Sequence, residues 1–218
     1  DNVIYFDGTV ASDPANEKFV HNEFGVNYKF GKLGLNASAY NTDWQDRNLT
    51  KSVTTGQGDS GDTDVIFLTG VNQKHSGVEL ETNYMVNDML DLMFVASFGN
   101  WKFDGDANGN YQETEYNSEG QAVGYKTTEY AYALDGLYVG DMPQTSYVLG
   151  VTLKPIKDLR IQAIHKMYDK NYSDWSPSAR EFDGTNDDAD RSQVWEAPSY
   201  NRLDLHMSYK LPKVKDLD

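Results

Sequence analysis

Strict alternation of apolar and polar residues is the feature that most constrains how this chain can fold. In FVHNEFGVNYKF, residues 19–30, five apolar side chains fall on even positions, whereas His21, Glu23, Asn27 and Lys29 fall on odd positions. A period of two gives a β-strand one apolar and one polar face. The pattern recurs in six further segments and helical periodicity is nearly absent. The sequence therefore predicts an all-β chain with about seven strands.

The lengths of the connections predict how these strands are arranged. Short turns at Gly31–Lys32, Asn87–Asp88 and Pro155–Asp158 alternate with long polar segments at about residues 48–64, 104–135 and 169–198. In an antiparallel, up-and-down sheet all the long segments lie at one end. Transmembrane β-barrels have this arrangement, with tight turns on one side and long outer loops on the other. We therefore expect residues 1–218 to be a portion of a single transmembrane β-barrel domain.

Charge is concentrated in the same long segments. The chain has 34 acidic and 19 basic side chains, a formal net charge of −15. The three long segments together carry 18 acidic and 5 basic residues, a net charge of −13. A chain this acidic lacks the basic surface that nucleic-acid binding requires, so no nucleic-acid partner is expected.

Aromatic residues cluster near both ends of the expected strands. We interpret these clusters as the two girdles that lie at lipid headgroups in membrane barrels. The expected outer girdle consists of Trp44, Trp101, Phe103, Tyr168, Tyr172 and Trp175, and the inner one of Tyr28, Phe30, Tyr84 and Tyr209.

The second face of the strands is polar from one strand to the next. A soluble β-sandwich buries the apolar face of each sheet against a second sheet. Here the opposite face carries charged residues such as Glu79, Lys166 and Arg202, which suits a lipid-facing wall around a wet lumen. Seven strands would leave two open edges, and unpaired backbone groups cannot face hydrocarbon. We therefore expect a partial chain that contributes to a larger barrel.

Several motifs resemble one known family. The segments NEFGVNYKFGKLGLNASAYNTDWQDR, HSGVELETNY, GLYVGDMPQT, YDKNYSDW and APSYNRLDLHMSYKL occur in an order and spacing similar to the later barrel strands of TonB-dependent outer-membrane receptors. The resemblance extends from about Glu17 to Leu211. It implies a barrel of about 22 strands filled by a plug domain. Neither the plug motifs nor the usual terminal aromatic residue of the family is found in this sequence.

The resemblance also implies a function and partners. Such a receptor is not an enzyme but an active transporter in the outer membrane of a Gram-negative bacterium, with its long loops extracellular. Its nutrient would be scarce, such as a siderophore, vitamin or glycan. The expected partners are the rest of the barrel and its plug, the TonB complex, outer-membrane lipid, a small or oligomeric nutrient ligand, and a surface lipoprotein.

One acidic segment matches a metal-binding pattern. DGDANGNYQETE, residues 104–115, fits the EF-hand consensus at every defined position, although no amphipathic helix flanks it. The expected calcium ligands, chosen because oxygen donors suit this hard cation, are Asp104, Asp106, Asn108, Asn110 and Glu115. An acidic hairpin with a turn at Asn108–Gly109 is the alternative interpretation.

No arrangement typical of an enzyme is present. Glu79 and Glu81 share one strand face, but similar polar residues on other strands favour a lumen wall over acid–base catalysis. The four histidines are dispersed, and there is no cysteine. The alternative to a transporter is a soluble extracellular calcium-binding β-sheet module for adhesion or binding, in which the apolar faces would form a core.

Overall fold

A computed structural model describes residues 16–55, 62–177, 180–182 and 188–211. These residues form eleven antiparallel strands and no helix, and none of them belongs to a helix long and apolar enough to span a membrane. The strands are β1 (Lys18–Phe30), β2 (Leu33–Thr55), β3 (Asp62–Asn87), β4 (Leu90–Phe103), β5 (Ala107–Tyr116), β6 (Ala122–Tyr132), β7 (Pro143–Leu153), β8 (Leu159–Tyr172), β9 (Glu181–Phe182), β10 (Glu196–Ala197) and β11 (Tyr200–Tyr209).

Seven strands form a continuous up-and-down wall in the order β1, β2, β3, β4, β7, β8 and β11. They are the seven that the alternation predicts. The sheet does not close on itself, and β1 and β11 lie at its two edges. The prediction of an antiparallel sheet that forms part of a β-barrel is therefore confirmed.

The register gives this wall one apolar and one polar face. Leu92, Val151, Ala163 and Leu205 are successive cross-strand partners on the apolar face. On the polar face, Glu79, Ser97, Ser146 and Tyr168 are successive partners in the same way. Large side chains on the apolar face are far from buried: Phe24 is 73% exposed and Leu205 is 72% exposed. Such a face has the chemistry of a surface in contact with lipid.

The outer ends of the strands differ from the predicted long loops. β2 and β3 continue as paired strands through most of residues 48–64, where four threonines suit an extended backbone. Within residues 104–135, β5 and β6 form a hairpin, and β5 also pairs with Val65–Thr69 of β3. β8 extends into the third segment, which also holds β9 and β10. Residues 56–61, 178–179 and 183–187 of these segments lie outside the described residues.

Two β-bulges lie between the wall and the outer part of the sheet. We call this outer part, which consists of β2 and β3 beyond the bulges together with the β5–β6 hairpin, the outer tier. The register shifts between Trp44 and Arg47 by one extra residue on β2, and then by one extra residue on β3 before Leu68. Asp46 adopts a φ of 56°, and its amide donates to Asn72 Oδ1 at 2.9 Å. Each extra residue reverses the alternation of faces. As a result Leu68 lies in the same buried cluster as Val71, although their positions differ in parity.

The buried core lies at the outer end of the polar face. It joins the outer tier to β4, to the end of β8 and to the segments that follow β6 and β8. Its buried residues are Ile66, Leu68, Val71, Phe103, Ala107, Tyr132, Leu134, Leu137, Tyr172, Trp175 and Val194. Burial of these side chains against one another is what allows the outer tier to stand above the wall without a second sheet.

Asp106 fastens the start of the β5–β6 hairpin. Its Oδ1 accepts hydrogen bonds from the backbone amides of Leu134 and Asp135, both at 3.0 Å. Arg191 donates to both carboxylate oxygens, at 3.2 and 3.0 Å. Burial raises the pKa of Asp106, but Arg191 and the two amides outweigh this effect and hold the pKa below its ordinary value. The carboxylate therefore joins three separate segments of the chain.

We expect Asp106→Asn to loosen the hairpin at neutral pH only. Because the folded pKa is depressed, the stabilisation by Asp106 is present above its unfolded pKa, near 4, and is lost as pH falls through the folded value. Hydrogen exchange of the Leu134 and Asp135 amides should show a local opening free energy lower by about 1–2 kcal/mol at pH 7. The difference should vanish once wild-type Asp106 is protonated. Glu119→Gln, at the hairpin turn, is the control and should change nothing.

Candidate functional site

The outer aromatic residues face the opposite side from the one expected. Trp101 and Phe103 have the parity of Ser97 on β4, and Trp44 has the parity of Tyr40 on β2, so all three lie on the polar face. Tyr168 also lies there, stacked on Tyr200 with ring centroids 4.9 Å apart. The predicted outer lipid girdle is therefore wrong. In the inner girdle, by contrast, Tyr28, Phe30, Tyr84 and Tyr209 share the apolar face.

Two glycines allow aromatic rings to lie directly against the wall. Tyr40 is the cross-strand partner of Gly77, and a Cβ on Gly77 would come within 2.5 Å of the Tyr40 hydroxyl. A Cβ on Gly99 would come within 2.9 Å of Trp101 Nε1. Trp101 Nε1 donates to the Tyr40 hydroxyl at 2.8 Å, which joins the two rings. We call this pair the ring platform.

Polar partners hold the ring platform in place. Buried Gln144 accepts from the Trp101 amide at 2.9 Å and donates to the Trp101 carbonyl at 3.0 Å. The His75 ring stacks on Trp101 with centroids 5.5 Å apart. His21 stacks near Tyr40 and shares a 2.7 Å hydrogen bond with the Thr42 hydroxyl. The rings are therefore fixed by backbone and side-chain contacts while Tyr40 and Trp101 stay partly exposed.

A group of carboxylates lies next to the platform. Glu23 is the direct cross-strand partner of Tyr40, and Glu79 is two residues along β3 from Gly77 on the same face. Glu81 follows on that face and accepts from Asn83 at 2.8 Å. A cavity of about 430 Å³ opens here, lined by the three glutamates together with Asn27, Asn36, Ser38 and other small or neutral residues.

The other half of the polar face carries positive charge in ion pairs. Asp204 on β11 is bound by Lys166 at 3.2 Å and by Arg202 at 2.7 Å. Arg160 lines a separate cavity near the tight turns, together with Lys29, Lys32 and Asp91. Charge is therefore unevenly distributed on the polar face: carboxylates surround the cavity at the middle of β1 to β3, basic residues lie near the tight turns, and paired charges occur at β8 and β11.

Tyrosines of the outer tier and of the adjoining outer end of β8 are neutral donors at physiological pH. Burial raises the pKa of Tyr132, with the charge of Glu181 adding to the effect. Burial, followed by the nearby Asp64 that accepts from its hydroxyl at 2.6 Å, raises the pKa of Tyr111. Burial and Glu196 raise the pKa of Tyr172 to about 12. These phenols can therefore donate hydrogen bonds but cannot act as bases.

The predicted calcium ligands are not brought together. Asp104 pairs with Lys74 at 2.8 Å, and Asp106 pairs with Arg191. Asn108, Asn110 and Glu115 belong to β5, whose extended backbone places Asn108 and Glu115 about 23 Å apart at 3.3 Å per residue. In the described ranges no three acidic or histidine side chains form a group that could hold a metal ion. The fold therefore gives a hairpin in place of the single wrapped loop that the consensus implies. Its turn lies between Tyr116 and Ala122, and the turn expected at Asn108–Gly109 is wrong because both residues belong to β5.

The ring platform is a candidate site that the sequence pattern did not predict. Trp101 is three residues from the apolar-facing Phe98 on the same strand, so the sequence alone was sufficient to place Trp101 on the polar face. Its contact with Tyr40 was not predictable, because residues 40 and 101 lie on different strands and meet only through the register of β3.

Comparison with known proteins agrees with the architecture. Residues 4–218, nearly the whole chain, match the family described as TonB dependent receptor-like, beta-barrel. No curated protein and no solved structure matches the chain.

We expect Gly77→Ala to disrupt the ring platform and to destabilise the sheet by about 1–3 kcal/mol, the usual cost of overpacking. The new methyl group would meet both the Tyr40 hydroxyl and the Phe98 carbonyl oxygen, which lies 2.7 Å from the Cβ position. Gly34→Ala on the same face is the matched control, since its Cβ would meet nothing nearer than 3.9 Å. Urea unfolding of the protein in detergent, followed by tryptophan fluorescence, measures both. Equal midpoints for the two variants would contradict the packing described.

Proposed function

Because this chain belongs to the TonB-dependent receptor β-barrel family, whose members are outer-membrane nutrient transporters and not enzymes, we propose that it forms part of the wall and mouth of an active transporter. The observation that carries the proposal is the separation of the two faces. One face exposes large apolar side chains to lipid, and the other presents carboxylates, amides and hydroxyls to a wet lumen. The family places such barrels in the Gram-negative outer membrane.

In this proposal the three regions of the chain have different roles. The wall strands isolate the lumen from lipid, with every interior strand paired on both sides. The outer tier lies on the extracellular side, captures the nutrient and passes it to the polar face. A plug domain and the TonB complex, which the family implies, would control release into the lumen. A surface lipoprotein that delivers the nutrient stays a prediction.

The electrostatics of the outer tier and the lumen narrow the range of nutrients. The long outer segments hold 18 acidic and 5 basic residues, and the lumen near β1 to β3 adds three carboxylates. A strongly anionic nutrient would be repelled from this side of the mouth. Neutral or cationic nutrients fit the surface better, and exposed rings such as Trp195, which is 66% exposed, suit cyclic or aromatic ligands.

The face assignment can be tested with adjacent residues. Phe94→Arg places a charge on the apolar face, and we expect folding into lipid vesicles to be weakened by about 2–4 kcal/mol near mid-bilayer. Val95→Arg is the matched control, because residue 95 faces the lumen and pairs directly with Glu81. Leu149 and Leu205, also on the apolar face, should behave like Phe94.

Measurement on the full-length receptor should combine urea titration in vesicles with the heat-dependent change in gel mobility that folded barrels show. Normal folding of Phe94→Arg, or equal destabilisation by Val95→Arg, would contradict a lipid-facing wall. A polypeptide that is stable in water without detergent would favour the binding-module alternative instead.

A further inference from the structure

One edge of the outer tier has no strand beside it. β9 pairs with β6 at Ala131 and Tyr132, whereas residues 122–130 of β6 have no strand on that side within the described part of the chain. We call this stretch the open edge. The edges of β1 and β11 are different, since they cross hydrocarbon and further strands of the receptor have to pair with them. The open edge lies above the wall, where water can satisfy backbone groups and no such pairing is imposed.

The register shows which backbone groups of β6 point toward the open edge. The Ala133 amide donates to the Arg180 carbonyl at 2.9 Å, on the side of β9. In an antiparallel ladder, alternate residues direct both their amide and their carbonyl toward the same neighbour. Thr127 and Glu129 have the parity of Ala133, so their backbone groups point outward to the open edge. Neither residue has a backbone partner on that side within the described ranges.

The open edge has little of the protection that natural edge strands carry. Proteins usually shorten such strands or interrupt them with proline, lysine or a bulge, which prevents pairing with other chains. β6 contains one lysine and no proline, and its register shift against β5 lies at the far end, opposite Glu115 and Tyr116. The unpaired stretch extends over about 30 Å at 3.3 Å per residue. A regular edge of this length suits the addition of another strand.

A cavity of about 610 Å³ lies beside the same part of β6 and provides a second, independent feature. Asn108, Asn110 and Glu129 contribute oxygen acceptors to its lining, and the Phe182 ring lies at one side. Among the described residues, no lysine or arginine lines this cavity. Arg191 lies 5.5 Å from the Phe182 ring centroid, but its charge is already bound by Asp106, as described above. The cavity therefore suits a basic side chain.

The cavity lies on the correct face to receive a side chain from an added strand. Asn110 is the cross-strand partner of Glu129, so both lie on the face of the hairpin opposite to Gly109. Gly109 faces the core, since a Cβ there would come within 2.7 Å of the Tyr132 ring. A residue that paired with Glu129 across the open edge would direct its side chain to the same face as Glu129. Backbone pairing and occupation of the cavity are thus compatible in one bound strand.

We propose that the open edge binds an extended peptide from outside the cell by strand addition, and that the cavity takes a lysine or arginine side chain of this peptide. Main-chain hydrogen bonds supply affinity in such complexes, and side-chain pockets supply specificity. The charge of the hairpin agrees, because Lys126 stands against four glutamates, at positions 113, 115, 119 and 129. The inference rests on the proposed function, since it requires the outer tier to lie on the extracellular side.

A second copy of this chain is a less suitable occupant of the open edge. The three long outer segments hold 18 acidic and 5 basic residues, so two outer tiers that paired edge to edge would repel each other. A basic peptide would instead be attracted. Self-association of the receptor is therefore an outcome that the experiment has to distinguish from peptide binding.

The probe is a synthetic peptide of alternating lysine and threonine, as long as the open edge. Hydrogen exchange of the full-length receptor in detergent should show rapid exchange of the Thr127 and Glu129 amides without peptide, slowed about tenfold or more when peptide is bound. N-methylation of the lysine amides, which would pair with β6, should abolish binding. N-methylation of the threonine amides, which point away from β6 in this register, leaves the charge equal and should preserve binding.

Two substitutions in the receptor test the same contacts from the other side. Thr127→Pro removes one outward amide, and we expect it to weaken binding of the labelled peptide, measured by fluorescence anisotropy, about tenfold or more. Thr127→Val is the matched control: both variants lose the 3.3 Å hydrogen bond from Gln112 to the Thr127 hydroxyl, but valine keeps the amide. Glu129→Gln should also weaken binding, whereas Glu115→Gln, on the opposite face of the hairpin, should not.

Three results would overturn the inference. The first is protection of the Thr127 and Glu129 amides in the receptor without peptide, which would show that another part of the receptor covers the open edge. The second is protection that depends on receptor concentration, which would assign the edge to a second copy. The third is equal binding of the two N-methylated peptides, which would indicate attraction by charge alone. None of these affects the proposed transport function, which depends on the Phe94 and Val95 variants.

Discussion

Pairing of backbone amides and carbonyls within a continuous antiparallel ladder is the constraint on which this structure depends. Water is absent from the hydrocarbon layer, so a strand that crosses it must find all its partners in neighbouring strands. The ladder in turn imposes the alternation of faces, because successive side chains point to opposite sides. The exposed Phe24 and Leu205 and the polar cavity at Glu79 are thus two consequences of one register.

The bulges around Trp44 and Gly70 show how the same ladder changes its role above the wall. One extra residue on each of β2 and β3 reverses the faces, so that Ile66 and Leu68 turn inward to the core instead of outward. The outer tier can then bury these side chains in a core that it shares with β4 and with the outer end of β8. Asp106 and Arg191 connect that core to the segment that follows β9, which couples the outer hairpin to the rest of the mouth.

The polar face combines groups that no single strand carries. Tyr40, Gly77 and Trp101 lie on three different strands. The platform forms only because the strand register places them next to one another on the same face. Glycine is essential there for a spatial reason, since any Cβ at Gly77 or Gly99 would occupy the volume of a ring. The rings and the glutamates together make this part of the polar face both aromatic and acidic.

The local alternation of apolar and polar residues determined most of the structure of the wall. Alternation specified the seven strands and their apolar face, since each residue's side depends only on its parity within an uninterrupted strand. The alternation also assigns Trp44 and Trp101 to the polar face. Their position near the ends of the strands alone had suggested that they face lipid. The tertiary structure decided the rest: the hairpin in place of a calcium loop, the ion pairs that bind Asp104 and Asp106, and the contact of Tyr40 with Trp101. Those features depend on pairing between distant segments, and a bulge or a long-range ion pair has no periodic signature in the sequence.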